Sequence, residues 1–214
     1  MKINEIKILP DKMLIQKVRS AAKIYQQYAD KDVLLVLSSS KKGPFYSYQF
    51  HAGIENFQHL AGVKFPEGAK AFFNRCLDDR NILKRSEIVP VRHMKETSSK
   101  INVLPEALDL KKAKGYKLGE KDLITLNNEF SMAIGNVQHI MGFDKRAYQL
   151  PIPVTVMNRS IYDFCSEVST IFLIMTKEVA SDKYSDEFYE ITKDLLHKAS
   201  FDGKILSLID DSLF

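Results

Sequence analysis

The chain has 214 residues, of which 45% are hydrophobic and 27% are charged, a composition that supports a packed core and argues against disorder. The formal net charge of +4 suits a phosphate-bearing partner but is far from that of a nucleic-acid-binding tail. The N-terminus is polar, and the longest apolar runs, such as residues 171–175, are too short to cross a bilayer. The two cysteines form no CxxC pair. We therefore expect a cytoplasmic protein without membrane contact, whose reduced thiols lie in the core.

The first half of the chain predicts a helix, a hairpin and two more helices. Apolar residues recur at alternating steps of four and three over residues 11–30, which predicts an amphipathic helix. Strands are predicted over residues 32–38 and 45–51, and the turn residues between them indicate a hairpin. Helical spacing returns over residues 69–77 and 91–108, where Pro105 is expected to end or kink the second helix.

The second half predicts most of a sheet. Residues 111–120 are basic and contain glycine, which favours a mobile loop, and residues 122–176 alternate with period two, including a central strand at 168–175. Residues 185–200 have helical spacing. The expected fold is therefore α+β, with N-terminal helices packed on a mostly antiparallel β-sheet and a C-terminal helix.

Motifs of the common metal, nucleotide and hydrolase sites are missing from the sequence. The five histidines form no HExxH motif or Cys/His cluster, and there is no phosphate-binding glycine loop and no GxSxG elbow. We therefore expect no metal and no cofactor, which leaves acid–base chemistry by side chains. Metal-independent RNA cleavage is one such reaction: it needs a base for the 2′-hydroxyl proton, an acid for the departing 5′-oxygen and a cation beside the phosphorus.

The segment Asn-Phe-Gln-His-Leu-Ala-Gly-Val at residues 56–63 contains the best candidate for proton transfer. His59 follows a strand-like run and stands among apolar residues, and a histidine can take and give a proton near neutral pH. Asn56 offers an amide, and Gly62 permits close approach of the backbone. The alternative is that the apolar neighbours pack inward and leave His59 as an ordinary surface residue.

Lys100 shares a predicted helix face with His93 and Thr97, at spacings i, i+4 and i+7. This polar patch is either part of a site or the solvated rim beside the apolar stripe. A basic segment follows, with Tyr116 among the lysines of residues 111–117, and it is either a contact to a nucleic-acid backbone with a stacked base or a solvated loop.

Three further polar residues follow predicted strands. Asn158 ends the alternating run 152–156, where it either presents an amide to a ligand or forms a turn. Lys177 follows the most apolar strand, where a lysine either binds phosphate or extends from the core edge to solvent, and Tyr184 comes seven residues later.

The segment from Phe50 through residues 56–63 resembles the F-x-H-L-[TA]-G signature of a predicted nuclease group. That group is the phage and mobile-element branch of the barnase–EndoU–colicin E5/D–RelE (BECR) fold. Further matching features follow in the same order, and the similarity covers residues 32–190. These features are Phe72-Phe73…Cys76-Leu77, Lys100-Ile101-Asn102-Val103-Leu104, Pro153-Val154-Thr155-Val156-Met157-Asn158 and Ile171…Lys177…Tyr184.

The resemblance implies a metal-independent ribonuclease-like domain, carried by a phage or another mobile element as a toxin or effector. The residues that it implies for the site are His59, Lys100 and Lys177 as catalytic residues and Asn158 and Tyr184 as substrate-binding residues. Asn56, which offers an amide beside His59, is added as a third candidate for substrate binding. Ala61 stands where threonine is commoner in the signature, so any phosphate contact of that hydroxyl is lost here.

This interpretation divides the chain into an N-terminal helical segment (1–31), a nuclease domain (32–190) and a C-terminal helical tail (191–214). RNA is the expected partner, together with an antitoxin or immunity protein, and the oligomeric state is not predicted. The main alternative is a non-catalytic RNA- or protein-binding module of a mobile element or host-defence system; another is a structural phage protein that forms higher oligomers. Catalysis requires the candidate catalytic side chains to meet in one cleft.

Overall fold

The computed structural model describes residues 8–40, 43–122, 130–144, 149–190 and 201–213. Its helices are α1 (Asp11–Tyr25), α2 (Asn56–Ala61), α3 (Ala69–Leu77), α4 (Met94–Leu108) and α5 (Gly203–Leu206). Its strands are β1 (Lys31–Ser38), β2 (Tyr46–His51), β3 (Val63–Lys64), β4 (Val89–Pro90), β5 (Lys117–Glu120), β6 (Met132–Gly135), β7 (Ile140–Asp144), β8 (Ile152–Met157), β9 (Ser169–Glu178) and β10 (Asp186–Glu190).

One antiparallel sheet organises the molecule, with strand order β2-β1-β9-β5-β6-β7-β8 and with β10 paired to β9. Strands β1 and β2 form the predicted hairpin, in which Val33 lies opposite Phe50. The two ends of the sheet approach each other, because the His51 N–H donates a 2.9 Å hydrogen bond to the Pro151 carbonyl, just before β8. This curvature brings α2, which follows β2, against β8.

The larger core lies between the sheet and helices α1 to α4. Alternation along β1 directs Val33, Leu35 and Leu37 to this side. The apolar faces of the helices pack against them and are buried. These helix residues include Leu14, Val18, Tyr25, Phe57, Leu60, Phe72, Cys76, Ile101, Leu104 and Leu108.

A second core covers the opposite face of the sheet. Leu34 and Val36 of β1 point to this side, where residues of the C-terminal segment cover them. Tyr184, Ile205 and Ile209 are buried there, and the segment is fixed by a bridge between Tyr184 and Ile209. Because both faces of β1 are covered, the strand is almost continuously apolar rather than alternating.

The α+β fold, with N-terminal helices on an antiparallel sheet and a short C-terminal helix, is confirmed. The helix predicted over residues 185–200 is wrong at Asp186–Glu190, which form β10; residues 191–200 lie outside the described residues. The loop predicted over residues 111–120 is wrong at Lys117–Glu120, which form β5. Both segments pair with β9, and ladder hydrogen bonding outweighs local spacing in such short segments. Pro105 lies inside α4 and does not end it.

Both cysteines are buried and unpaired, as predicted. Burial raises the pKa of the Cys76 thiol and raises the pKa of the Cys165 thiol to about 11. Both thiols are therefore protonated at neutral pH and act as small apolar side chains. Among the helices that the structure describes, none is long and apolar enough to cross a membrane.

Candidate active site

A cavity of about 170 Å³ lies where α2, α4 and β8 meet. Its polar lining is made of His59, Arg92, Glu96, Thr97, Lys100 and Thr155, and its other lining residues are Gly62, Val91, Val154 and Met157. It therefore combines an imidazole, a carboxylate, two cations and two hydroxyls with an apolar wall.

His59 lies in the last turn of α2 and is exposed to the cavity. Its neighbours Phe57 and Leu60 are fully buried, so the helix places its apolar face in the core and the imidazole outside it. The buried Asn56 amide donates a 3.1 Å hydrogen bond to the Pro153 carbonyl, which fixes α2 to β8. Asn56 is therefore a structural contact between α2 and β8 and does not line the cavity.

Gly62 ends α2 in a left-handed conformation, with φ at 68°. A Cβ atom here would lie 3.0 Å from Lys100 Cδ, so glycine is favoured by its backbone conformation and by the close approach of Lys100. The Lys100 ammonium then reaches the Thr155 hydroxyl, to which it donates a 3.0 Å hydrogen bond. The lysine is therefore held between a glycine at the end of α2 and a hydroxyl of β8, both of which line the cavity.

Arg92 and Glu96 line the cavity and were not singled out by the sequence. They form an exposed ion pair, with 4.0 Å between Arg92 Nη1 and Glu96 Oε2. Glu96 lies one turn before Lys100 in α4, on the same helix face. The i, i+4 spacing of Glu96 and Lys100 is visible in the sequence, but such pairs are common on the solvated faces of helices. Only the position of β8 in the fold shows that this face of α4 lines a cavity.

The polar patch of α4 is divided by the structure. His93 is the N-terminal cap residue, is exposed and does not line the cavity, whereas Thr97 is only 2% exposed and does line it. The interpretation of this patch as a solvated rim is therefore wrong for Thr97. Asn158 follows the lining residue Met157 and is exposed just after β8, but it does not itself line the cavity.

Lys177 and Tyr184 lie away from this cavity, on the other face of the sheet. Lys177 is opposite Asp32 in the β1–β9 ladder, forms a 3.6 Å ion pair with it and donates to the Ser181 carbonyl. Tyr184 is fully buried, and its hydroxyl donates a 3.0 Å hydrogen bond to Gln49. Burial raises the pKa of Tyr184. The structure thus brings His59 and Lys100 together but not Lys177 or Tyr184.

The basic segment after α4 does not present an aromatic platform. Tyr116 is buried, and its hydroxyl donates to the Glu106 carbonyl at 2.7 Å and lies 2.6 Å from His139 Nε2. Burial raises the pKa of Tyr116 and lowers the pKa of His139. The base-stacking interpretation of Tyr116 is therefore wrong, and Lys117 belongs to β5, where it donates to Thr170.

Within the described residues, no three histidine, cysteine or acidic side chains are grouped as a metal site. The cavity lining contains one carboxylate and one imidazole, together with two cations that would repel a metal ion. Its residues are suited instead to contact an anion and to move protons.

The chain matches the family model described as phage-Barnase-EndoU-ColicinE5/D-RelE like nuclease 4, over residues 17–193. Searches of curated proteins and of solved structures give no significant match. The family match begins inside α1, which packs in the same core as the sheet and α2 to α4. The chain belongs to this family of phage BECR-like nucleases, as the segment at residues 56–63 predicted.

Proposed function

We propose that this protein is an endoribonuclease whose own side chains supply the acid–base chemistry, at the cavity between α2, α4 and β8. One observation carries the proposal: the His59 imidazole and the Lys100 ammonium, which come from different helices, line the same small cavity. Membership of a nuclease family supports phosphodiester chemistry for this chain.

The reaction is an internal transfer at phosphorus. A base takes the proton of the 2′-hydroxyl, the 2′-oxygen forms a bond to phosphorus, and the bond from phosphorus to the 5′-oxygen breaks. An acid gives that 5′-oxygen a proton, so the products are a 2′,3′-cyclic phosphate and a 5′-hydroxyl. We assign the two proton transfers to His59 and Glu96, which are the imidazole and the carboxylate of the cavity.

Lys100 and Arg92 are assigned to the phosphate. Lys100 donates to a neutral hydroxyl, that of Thr155, and an anionic phosphate oxygen would make a shorter and stronger bond with the same ammonium. Arg92 lines the cavity with an exposed side chain, whose guanidinium can bind a phosphate through two parallel hydrogen bonds. Both cations would offset the charge that grows on the equatorial oxygens in the transition state.

The remaining sequence candidates have different parts in this proposal. Asn158 is assigned a contact to the substrate at the end of β8, because it is exposed beside Met157. Asn56, Lys177 and Tyr184 are assigned to the scaffold, since each is engaged in contacts outside the cavity.

In the cell, we propose a toxin or effector of a phage or other mobile element that cleaves RNA in the cytoplasm and is restrained by an antitoxin or immunity protein.

The test is cleavage of a labelled RNA in EDTA by the wild-type protein, His59→Ala and His93→Ala. His93 is the matched control, because it is an exposed histidine at the start of α4 outside the cavity lining. We expect cyclic phosphate ends from the wild type and from His93→Ala, and a rate lower by a factor of about 10² to 10⁴ for His59→Ala. The proposal fails if the wild type does not cleave, or if the two variants cleave equally; binding without cleavage would support a non-catalytic RNA-binding module.

A further inference from the structure

The Gly62 carbonyl is a junction between the elements that carry the two proposed catalytic side chains. It accepts a 3.1 Å hydrogen bond from the Thr97 hydroxyl in α4 and another of 3.1 Å from the Val91 N–H, just after β4. The Gly62 N–H in turn donates 3.0 Å to the His59 carbonyl, which closes the last turn of α2. The N–H of Gly62 therefore contacts the backbone of His59, while the carbonyl of the same residue contacts α4.

Thr97 is also one helical turn before Lys100, so its side chain and that of Lys100 leave α4 on the same side. The Thr97 hydroxyl holds the Gly62 carbonyl, and the Lys100 stem passes the Cα of the same glycine, where an added Cβ would meet Cδ at 3.0 Å. The distance between the His59 and Lys100 backbones therefore depends on how α4 is seated against Gly62.

We infer that Thr97 is a positioning residue: its buried hydroxyl fixes α4 against the end of α2, and so sets the separation of His59 from Lys100. This inference rests on the proposed function, since it gives that separation a catalytic meaning. Displacement of a catalytic group by about 1 Å costs on the order of 10²-fold in rate, so a single helix-to-helix hydrogen bond is enough to matter.

The bond is poorly explained as a mere contribution to stability. The Gly62 carbonyl keeps the Val91 N–H as a partner when the Thr97 hydroxyl is removed, so Thr97→Val leaves no orphaned carbonyl and preserves the shape of the side chain. The variant is therefore expected to fold, with α2 and α4 no longer joined through a side chain at this point.

Ser98 offers a matched control on the same helix. It is also fully buried, but its hydroxyl accepts a 2.6 Å hydrogen bond from the Leu9 N–H and does not line the cavity. Ser98→Ala thus removes a buried hydroxyl of α4 without touching the contact to Gly62. Thr97→Ser keeps the hydroxyl at the contact and loses only a methyl group.

The experiment compares RNA cleavage by the wild type, Thr97→Val, Thr97→Ser, Ser98→Ala and His59→Ala, with crystal structures of the two variants of Thr97. We expect kcat to fall by about tenfold to hundredfold in Thr97→Val with KM little changed, and Thr97→Ser and Ser98→Ala to keep most of the wild-type rate. In the Thr97→Val crystal structure, the distance between the Cα atoms of His59 and Lys100 should change, and in Thr97→Ser it should not.

The inference is overturned if Thr97→Val cleaves like the wild type while His59→Ala does not, or if Thr97→Val leaves α2 and α4 unmoved. A loss of rate without movement would mean that the hydroxyl acts directly on the substrate, which also overturns it. If the wild type and His59→Ala are equally inactive, the proposed function fails. In that case the crystal structures alone decide whether Thr97 sets the separation of the two helices.

Discussion

Lys100 donates a 3.0 Å hydrogen bond from its ammonium to the hydroxyl of Thr155, across the cavity between α4 and β8. This contact holds the charge of a helix residue at the end strand of the sheet, in the cavity that His59 also lines. Lys100 belongs to α4 and Thr155 to β8, and the curvature of the sheet brings β8 against the helices. The contact between the two residues therefore depends on the whole fold and not on neighbouring sequence.

Removal of the Lys100 charge tests the phosphate contact. Lys100→Met keeps most of the stem that packs beside Gly62 but loses the ammonium. We expect kcat/KM for RNA cleavage to fall by about 10² to 10³, as for the loss of one preorganised charge at a transition state, with little change in melting temperature. Thr155→Val should cost less than tenfold, because the lysine charge remains; a larger loss than in Lys100→Met would contradict the assignment. Steady-state kinetics with a labelled RNA measures both.

Gly62 should be intolerant of a side chain. Gly62→Ala adds a Cβ in the left-handed conformation and within 3.0 Å of Lys100 Cδ, so we expect a loss of about 1 to 2 kcal/mol in the free energy of unfolding. Gly203→Ala is the control, because a Cβ there meets nothing within 4 Å. Urea unfolding of the two variants measures the difference, and equal stability of the two would contradict the structure at Gly62.

Asn56 and Asn158 should behave differently. Asn56→Ala removes a buried donor and leaves the Pro153 carbonyl without it, so we expect a loss of about 1 to 3 kcal/mol in unfolding free energy. Asn158 is exposed, so Asn158→Ala should change stability by less than about 0.5 kcal/mol. If Asn158 contacts the substrate, its variant should raise KM. Calorimetry measures the stability of the two variants, and steady-state kinetics measures their KM. An Asn56→Ala variant as stable as the wild type would contradict the structural role of Asn56.

Lys177 and Tyr184 should matter for folding rather than for cleavage. Tyr184→Phe loses the hydroxyl that donates to Gln49, and Lys177→Met leaves Asp32 without that ion pair. We expect each to lower the melting temperature while kcat stays within about twofold of the wild-type value, since neither side chain lines the cavity. A fall in kcat as large as that of His59→Ala would show that the site extends to the other face of the sheet.

Alkaline pH should destabilise the protein in part through Cys165. Burial raises the pKa of this thiol from 9.0 to about 11, so the folded state favours the protonated form. Its contribution is therefore fully present below pH 9 and is lost as the pH rises towards 11. Urea unfolding at several pH values should give a shallower decline over that window for Cys165→Ala than for the wild type, and parallel curves would contradict it.

Local sequence pattern was a reliable guide for the long elements that pack on a core. The stripe containing Leu14, Val18 and Tyr25 gave α1, and the apolar run of β1 gave a strand covered on both faces. It failed at β5 and β10, where only a few residues complete the ladder of β9. Partners distant in the chain decide such short strands, because their hydrogen bonds lie outside any local window.

The sequence by itself determined the fold class, the lack of metal and nucleotide motifs, and the family, because these depend on local spacing and on an ordered motif. Tertiary structure alone decided which polar residues meet. The approach of the sheet ends sets α2 against β8, and the helix contact at Thr97 sets Lys100 beside His59. The register that pairs Asp32 with Lys177 turns that lysine to the opposite face; a shift of one residue would reverse it, and no local pattern in the chain specifies that register.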